Sequence, residues 1–144
     1  MYFVYCLQAG LIITSFVLGV WNFSNSFIKV ILFLCVYIIH ELLHVVVVYR
    51  IGDISLTHSG IFFWLTSGAV LHKLRFFIFM SLPFITLTVI PAVASIFLSG
   101  AIKEIAVYVS WVNSIIAGAD IINSVLIAIK PNGSMFYRGY YKVS

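Results

Sequence analysis

The residues of this chain that could do chemistry are concentrated in one short stretch, His40-Glu41-Leu42-Leu43-His44. Two histidines four positions apart project from the same face of a helix, so both imidazoles can bind one Zn²⁺ ion. Glu41 is turned by about 100° from His40, so it can hydrogen-bond a water on the metal rather than bind the metal itself. Zinc makes such a water more acidic, and a carboxylate can then take its proton. The stretch therefore predicts a Zn²⁺ cofactor, with Glu41 as the catalytic base.

A catalytic zinc site also needs a third protein ligand and an open fourth position. Asp53 and Glu104 fall in predicted loops, and Glu104 lies on the opposite side of the predicted membrane. Asp120 is the remaining acid and lies inside a long apolar run, where acidic residues are functional by default. We therefore predict that Asp120 joins His40 and His44 as a metal ligand. The alternatives are an acid that only packs helices and histidines that only hydrogen-bond neighbouring helices.

Depth along the chain supports this ligand set. His40 precedes Arg50 by ten residues, and Asp120 precedes Lys130 by ten residues. In a four-span topology both runs point toward the same side of the membrane. At 1.5 Å per residue, both groups lie about 15 Å along their helices from a basic boundary. A matched depth on two parallel helices is what one shared metal ion requires.

Polar residues accompany Asp120 on the same predicted helix. Asn113, Asp120 and Asn123 are spaced by seven and three residues, so they share a helical face. An asparagine there could orient Asp120 or stabilise a developing oxyanion, or it could simply hydrogen-bond a neighbouring helix. The small residues around Gly118 would let the helices approach closely enough for Asp120 to reach the histidines.

The composition explains why such a site should lie in a membrane. Of 144 residues, 63% are hydrophobic and only 8% are charged, and the mean hydropathy is +1.17. A soluble domain has about 25% charged residues. The formal net charge of +4 would fit a nucleic-acid partner in a soluble protein, but these basic residues flank apolar runs and indicate membrane topology. We predict one integral-membrane domain over residues 1–144, with no nucleic-acid partner.

Four apolar runs are each long enough to cross a bilayer, which takes about 20 residues. The predicted fold is therefore an all-α membrane protein with four transmembrane helices and a short cytoplasmic β-hairpin between the second and third. Pro83 and Pro91 should kink the third span or end a half-helix. The predicted spans are 2–21, 27–49, 76–98 and 105–129.

The hairpin is predicted at about residues 53–72. Polar and apolar residues alternate over 53–58, and Ser59-Gly60 is a turn signal. Such a hairpin could hold an unwound peptide by β-strand addition. His58 and His72 in this region are predicted to be ordinary interfacial histidines. The candidate substrate-binding residues are Ile54, Leu56, Phe62 and Trp64.

Basic residues predict the orientation. Six lie on one side of the four-span arrangement and two on the other, which places the hairpin and both termini in the cytoplasm. The residues on the first side are Arg50, Lys73, Arg75, Lys130, Arg138 and Lys142, and those on the second are Lys29 and Lys103.

The arrangement of these motifs resembles a known family. His40-Glu-Leu-Leu-His44 late in one span, a hairpin, a proline-bearing span, and then Asn113 followed by Gly118-Ala-Asp120 resemble the putative zincin peptidases of bacterial membranes. These small proteins are similar to the site-2 protease class of intramembrane zinc metalloproteases. That class usually carries Leu-Asp-Gly around its aspartate, whereas Asp120 lies between Ala119 and Ile121.

The resemblance implies roles for individual residues. His40 and His44 would be metal ligands, Glu41 the catalytic base, and Asp120 the aspartate that completes the zinc site. The implied location is a bacterial plasma membrane, and the implied substrate a membrane protein or peptide.

Two functions follow from these predictions. The first is a membrane-embedded zinc metallopeptidase that hydrolyses peptide bonds of membrane or membrane-associated proteins. The alternative is a non-proteolytic membrane metal-binding or ion-handling protein that uses the same ligands. A protein without metal, acting as a helical membrane partner, is a third reading. The substrate, the oligomeric state and any regulatory partner are not specified by the sequence.

Overall fold

The computed structural model of the protein describes residues 2–22, 26–49, 51, 54–59, 62–67, 70–137 and 140–143. In 54–59, 62–67 and 140–143 only the backbone is described. The chain is mostly helical, with two small antiparallel sheets. The helices are α1 (Tyr2–Val17), α2 (Ser26–Val48), α3 (Lys73–Phe84), α4 (Ile90–Phe97), α5 (Gly100–Ile116) and α6 (Gly118–Ala128), and the strands are β1 (Ile54–Ser59), β2 (Phe62–Ser67), β3 (Leu71–His72), β4 (Ser134–Tyr137) and β5 (Tyr140–Val143).

Helix α2 corresponds to the predicted second span and buries one narrow stripe. Its buried residues are Val36, His40, His44 and Val48, each four positions after the last. Such a spacing lines residues along one face of a helix. The rest of α2 is apolar and largely exposed. Its polar groups therefore face the protein interior and its hydrophobic groups face outward, which is the arrangement expected in lipid.

The third predicted span is also present, but its prolines do not end it. Residues Lys73–Phe97 form one stretch of 25 residues that is long and apolar enough to cross a membrane. A π-helical turn at Ile85–Val89 joins α3 to α4 and lies between Pro83 and Pro91. A local change to i→i+5 hydrogen bonding is a known way for a helix to continue past an irregularity.

The prediction of one continuous helix over 105–129 is wrong, because the structure has two helices there. Helices α5 and α6 meet at Ala117 with a bend of 64°. Near the break, the side chain of Gln8 in α1 donates from Nε2 to the carbonyl of Ile115 at 3.0 Å. A Cβ atom added to Gly118 would lie 2.8 Å from Cγ of Gln8, so glycine permits this close approach of α1. Gly118 thus lets α1 lie close to the break.

The predicted count of four spans is not confirmed. Helix α1 has 16 residues, about 24 Å of helix, against a hydrocarbon core of about 30 Å. In the described ranges, two helical stretches are long and apolar enough to cross a membrane, or three if the bent α5–α6 pair acts as one span. The chain has the character of a membrane protein, and its described residues do not confirm four spans.

The β-hairpin between α2 and α3 is confirmed. Strands β1 and β2 pair in antiparallel register from Ile54 opposite Ser67 to Ser59 opposite Phe62. A second sheet was not predicted: β4 and β5 of the C-terminal tail form a hairpin, and β4 also pairs with β3. The tail therefore returns to the start of α3, where Phe136 lies 4.8 Å from Phe76 between ring centroids.

Two apolar clusters flank the middle of α2. One contains Val36 together with Val20, Tyr108 and Val112. The other contains Val48 and Leu71. The two histidines of α2 lie on the same buried stripe between Val36 and Val48. Any site they form is therefore closed by packed side chains toward both ends of the bundle.

Candidate metal centre

The histidines of α2 point the same ring nitrogen at each other. Nε2 of His40 and Nε2 of His44 are 3.3 Å apart, and the residues are only 3% and 6% exposed. The spacing of four residues accounts for this, because it stacks the two side chains one helical turn apart. Two imidazoles on one helix thus offer two nitrogen atoms to one point.

Asp120 brings a third atom to the same point from α6. Its Oδ2 lies 3.1 Å from Nε2 of His40 and 3.3 Å from Nε2 of His44. Asp120 belongs to the first turn of α6, directly after the break at Ala117. Because the break redirects the chain there, a residue of the fourth predicted span can reach α2. The matched depth inferred from the sequence agrees with this contact.

The three distances agree with a tetrahedral zinc site. Zinc bonds of about 2.0–2.2 Å to histidine nitrogen and carboxylate oxygen place neighbouring ligand atoms roughly 3.3–3.6 Å apart. The observed separations of 3.1–3.3 Å are within a few tenths of an ångström of that range. The three side chains are a group that could hold a metal ion.

The tautomer of His40 is determined by its other ring nitrogen. Nδ1 of His40 lies 2.9 Å from Oδ1 of Asn113. The amide nitrogen of Asn113 donates to the carbonyl of Pro83 and to Oγ1 of Thr88, both at 3.0 Å. Since a carbonyl can only accept, the amide of Asn113 must present its oxygen to His40. Nδ1 of His40 therefore carries a proton, and Nε2 of the neutral ring has a free lone pair.

His44 also has its Nδ1 proton held by a hydrogen bond, in this case to a backbone carbonyl. Its Nδ1 lies 2.8 Å from the carbonyl oxygen of Phe79 in α3, so Nδ1 again donates. The ring also packs on the Phe79 side chain, at 4.5 Å between centroids. Its Nε2 is left as an acceptor. Histidine ligands of metals are commonly oriented in this way by a carbonyl or carboxylate.

This donor set fits a zinc ion. With both rings neutral, as metal ligands must be, two nitrogen lone pairs and a carboxylate oxygen converge on one point. Such a cluster of buried acceptors is costly unless a cation compensates it. Nitrogen and oxygen donors in this number are those of a zinc site.

A comparison with known proteins adds to this geometry. A family model described as putative zincin peptidase matches residues 33–135. The chain belongs to this family. No curated protein and no solved structure matches the chain significantly. The match includes both histidines of α2 and Asp120, whereas α1 lies outside it.

In this zincin-family chain, Glu41 is the remaining acid near the group. It follows His40 on α2, is half-buried, and lies within electrostatic range of the three side chains. Across the residues whose side chains are described, no fourth histidine, cysteine or acid joins the metal-binding group. A zinc ion held by three protein ligands keeps a position for water or substrate, as catalytic sites do.

The other predicted site residues divide into two groups. Asn113 is part of the site, but it orients His40 and not Asp120. Asn123 is half-buried on α6, and none of its described contacts joins it to the histidines. His72 is exposed in β3, directly before α3, and is not part of the metal-binding group.

Several predictions fall outside what is described. Asp53 lies outside the described residues, as do the side chain of His58 and those of the candidate substrate residues. The backbone register nevertheless separates these candidates: Leu56 pairs with Leu65, whereas Trp64 pairs with Thr57 at the next register position. Ile54 pairs with Ser67, two positions from the Leu56 pair. Phe62 pairs with Ser59, two positions from the Trp64 pair. Ile54 and Leu56 therefore belong to one set of alternating register positions, and Phe62 and Trp64 belong to the other set.

Sequence reasoning missed the supports from the third span. The carbonyls of Phe79 and Pro83 and the hydroxyl of Thr88 orient the histidines directly or through Asn113. Backbone acceptors leave no trace in residue type. The one available signal was Pro83, since a proline leaves the carbonyl four residues before it without its usual helical partner.

Proposed function

We propose that this protein is a membrane-embedded zinc metallopeptidase. The observation that carries the proposal is the convergence of His40 Nε2, His44 Nε2 and Asp120 Oδ2 within 3.1–3.3 Å of one another, beside Glu41. The membership in a family of putative zincin peptidases supports it.

Each residue would have a distinct role. His40, His44 and Asp120 would hold the zinc ion. When bound, zinc supplies a Lewis acid that polarises a peptide carbonyl and makes water more acidic. Glu41 would take a proton from the attacking water and return it to the leaving amine. Asn113 would hold the Nδ1 proton of His40, so that Nε2, which faces Asp120, is the nitrogen left for the metal.

The surroundings of the site favour a membrane-protein or membrane-associated substrate. The outer face of α2 is apolar, with Ile38 55% and Leu42 54% exposed, so a substrate would reach Glu41 along a lipid-facing surface. The backbone of a helix is fully hydrogen-bonded, and a substrate must therefore be locally unwound before its peptide bond can react. Strand β2 lies beside α2, and the hairpin could hold an extended peptide by strand addition.

The proposed location is the bacterial plasma membrane, with both termini in the cytoplasm. Three of the basic residues used for this orientation lie at one end of the bundle. Lys73 donates to the carbonyl of Lys130, and Arg75 approaches the carbonyl of Val47 at 3.4 Å. Arg50 and Arg138 lie outside the described residues. The lipid bilayer is the other proposed partner of the protein, and we propose no nucleic-acid partner.

The test compares wild type with Glu41→Gln for zinc content and for cleavage of a panel of membrane proteins. We expect Glu41→Gln to retain one zinc ion per chain and to cleave at least about 10²-fold more slowly, as loss of a general base predicts. Glu104→Gln is the matched control, because Glu104 is an exposed acid in the first turns of α5. It should cleave like wild type.

The other outcomes decide between the functions. Stoichiometric zinc with no cleavage by wild type would favour the non-proteolytic metal-binding alternative. Equal cleavage by wild type and Glu41→Gln would contradict the role of Glu41. Wild-type protein without zinc at neutral pH, prepared without chelator, would contradict the metal site itself.

A further inference from the structure

Pro83 has two connections to the proposed metal site, and the first concerns the group that it lacks. In an α-helix the carbonyl of residue 79 accepts from the N–H of residue 83. Proline has no N–H, so the carbonyl of Phe79 needs another donor. Nδ1 of His44 is that donor, at 2.8 Å. The missing hydrogen bond of α3 is thus replaced by one that orients His44.

The second connection is the carbonyl of Pro83 itself. It accepts a hydrogen bond of 3.0 Å from Nδ2 of Asn113. Asn113 is completely buried, and its amide oxygen accepts from Nδ1 of His40. Pro83 thereby fixes the amide orientation on which the tautomer of His40 depends. The hydrogen bonds that orient both histidines therefore lead back to Pro83, whose side chain is fully buried.

We propose that Pro83 is a positioning residue that holds both histidines with Nδ1 protonated and Nε2 directed at Asp120. The inference rests on the proposed metal site. It differs from a merely structural role for the proline, because it concerns hydrogen bonds donated by two particular ring nitrogens, Nδ1 of His44 and Nδ1 of His40. Groups that orient a metal ligand typically change metal affinity by about 10–100-fold when they are removed.

The same span provides a matched control. Pro91 lies eight residues after Pro83 and also removes a backbone N–H, there opposite the carbonyl of Leu87. Among the described contacts, neither Leu87 nor Pro91 bonds to a histidine. Replacing Pro91 therefore tests the general effect of a proline on this helix without touching the site.

The experiment compares Pro83→Ala, Pro91→Ala and a third variant in which residue 83 is the ester analogue lactic acid. Alanine restores an N–H that can compete for the carbonyl of Phe79, whereas lactic acid has neither the N–H nor the proline ring. We measure zinc affinity by chelator competition, and the histidine tautomers of the metal-free protein by ¹⁵N NMR. Zinc affinity should fall about 10–100-fold in Pro83→Ala, with a larger fraction of His44 protonated at Nε2. The lactic acid variant and Pro91→Ala should resemble wild type.

Each other result would overturn the inference. Unchanged affinity and tautomers in Pro83→Ala would show that the missing N–H does not position His44. An equal loss in Pro91→Ala, or in the lactic acid variant, would assign the effect to the shape of the helix or to the proline ring. If Pro83→Ala fails to fold, the lactic acid variant still decides, since it must bind zinc like wild type. Wild type without zinc would remove the proposed function, while the ¹⁵N spectra would still report on Pro83.

Discussion

Helix α2 and the α5–α6 pair supply the candidate site in different ways. On α2 both histidines belong to one uninterrupted helix, and their spacing of four residues alone aligns them. On the other side, Asn113 lies near the end of α5 and Asp120 lies in the first turn of α6. The two helices are bent by 64° relative to each other. The first half of the site depends on local periodicity, and the second depends on a break in a helix.

The difference shows where the site is vulnerable. The geometry of α2 is maintained by its own backbone hydrogen bonds. The position of Asp120 depends instead on the break, beside which Gln8 of α1 bonds to the carbonyl of Ile115. We therefore expect substitutions far from the metal to affect the α5–α6 half more than the α2 half.

The largest expected effect tests whether α6 contributes a ligand at all. Asp120→Ala removes the only oxygen of the proposed ligand set, so zinc affinity should fall by more than the roughly 10–100-fold seen when an orienting group is lost. Chelator competition measures this directly. Asn123→Ala is the control, because Asn123 lies on the same helix without a described contact to the histidines. Unchanged affinity in Asp120→Ala would leave α2 as the sole source of ligands.

The next effect concerns the support that α5 gives to α2. Asn113→Leu conserves most of the volume but removes the acceptor of His40 Nδ1 and the donor to Pro83. Zinc affinity should fall by about 10–100-fold. Ser114→Ala is the control, because the Ser114 hydroxyl bonds to Ser110 and Thr88 and not to a histidine. If both variants bind zinc equally well, Asn113 only packs α5 against α3.

The same comparison explains what could be predicted from the sequence. The HExxH stretch, the second and third spans and the hairpin depend on residue type and periodicity within a few neighbours, and they were predicted. The approach of Asp120 to His40 was predicted because equal distances from basic residues indicate equal depth in a membrane. These are arguments that a single chain can support without knowledge of its packing.

The missed features depend on contacts between distant residues. The break at Ala117 lies in an apolar run that reads as one span, and Gln8, which supports it, is more than 100 residues away. The pairing of β4 with β3 joins Phe136 to Leu71 and has no local signal. The π-helical turn, which lets the third span continue past both prolines, has no signal in residue type, because proline chemistry indicates only a kink or an end.

The smallest expected effect tests the contact that supports the break. Gly118→Ala would place a Cβ 2.8 Å from Cγ of Gln8, so either the side chain of Gln8 moves and loses its hydrogen bond or the helices separate. Overpacking of this kind costs about 1–3 kcal/mol, which thermal unfolding in detergent can measure. Gly10→Ala is the control, since a Cβ at Gly10 in α1 meets nothing within 4 Å. It should be neutral or slightly stabilising, because alanine favours helix over glycine.

The cause of that loss can be isolated by combining it with Gln8→Ala. The single change Gln8→Ala removes one hydrogen bond, worth about 0.5–1.5 kcal/mol, and leaves room beside Gly118. If the clash is with Gln8, the double variant will be less destabilised than the sum of the two single variants, as expected for residues in contact. Strict additivity would mean that Gly118 is required for the backbone of the break itself. In that case α1 would only cover the site, and Asp120 would be positioned by the α5–α6 pair alone.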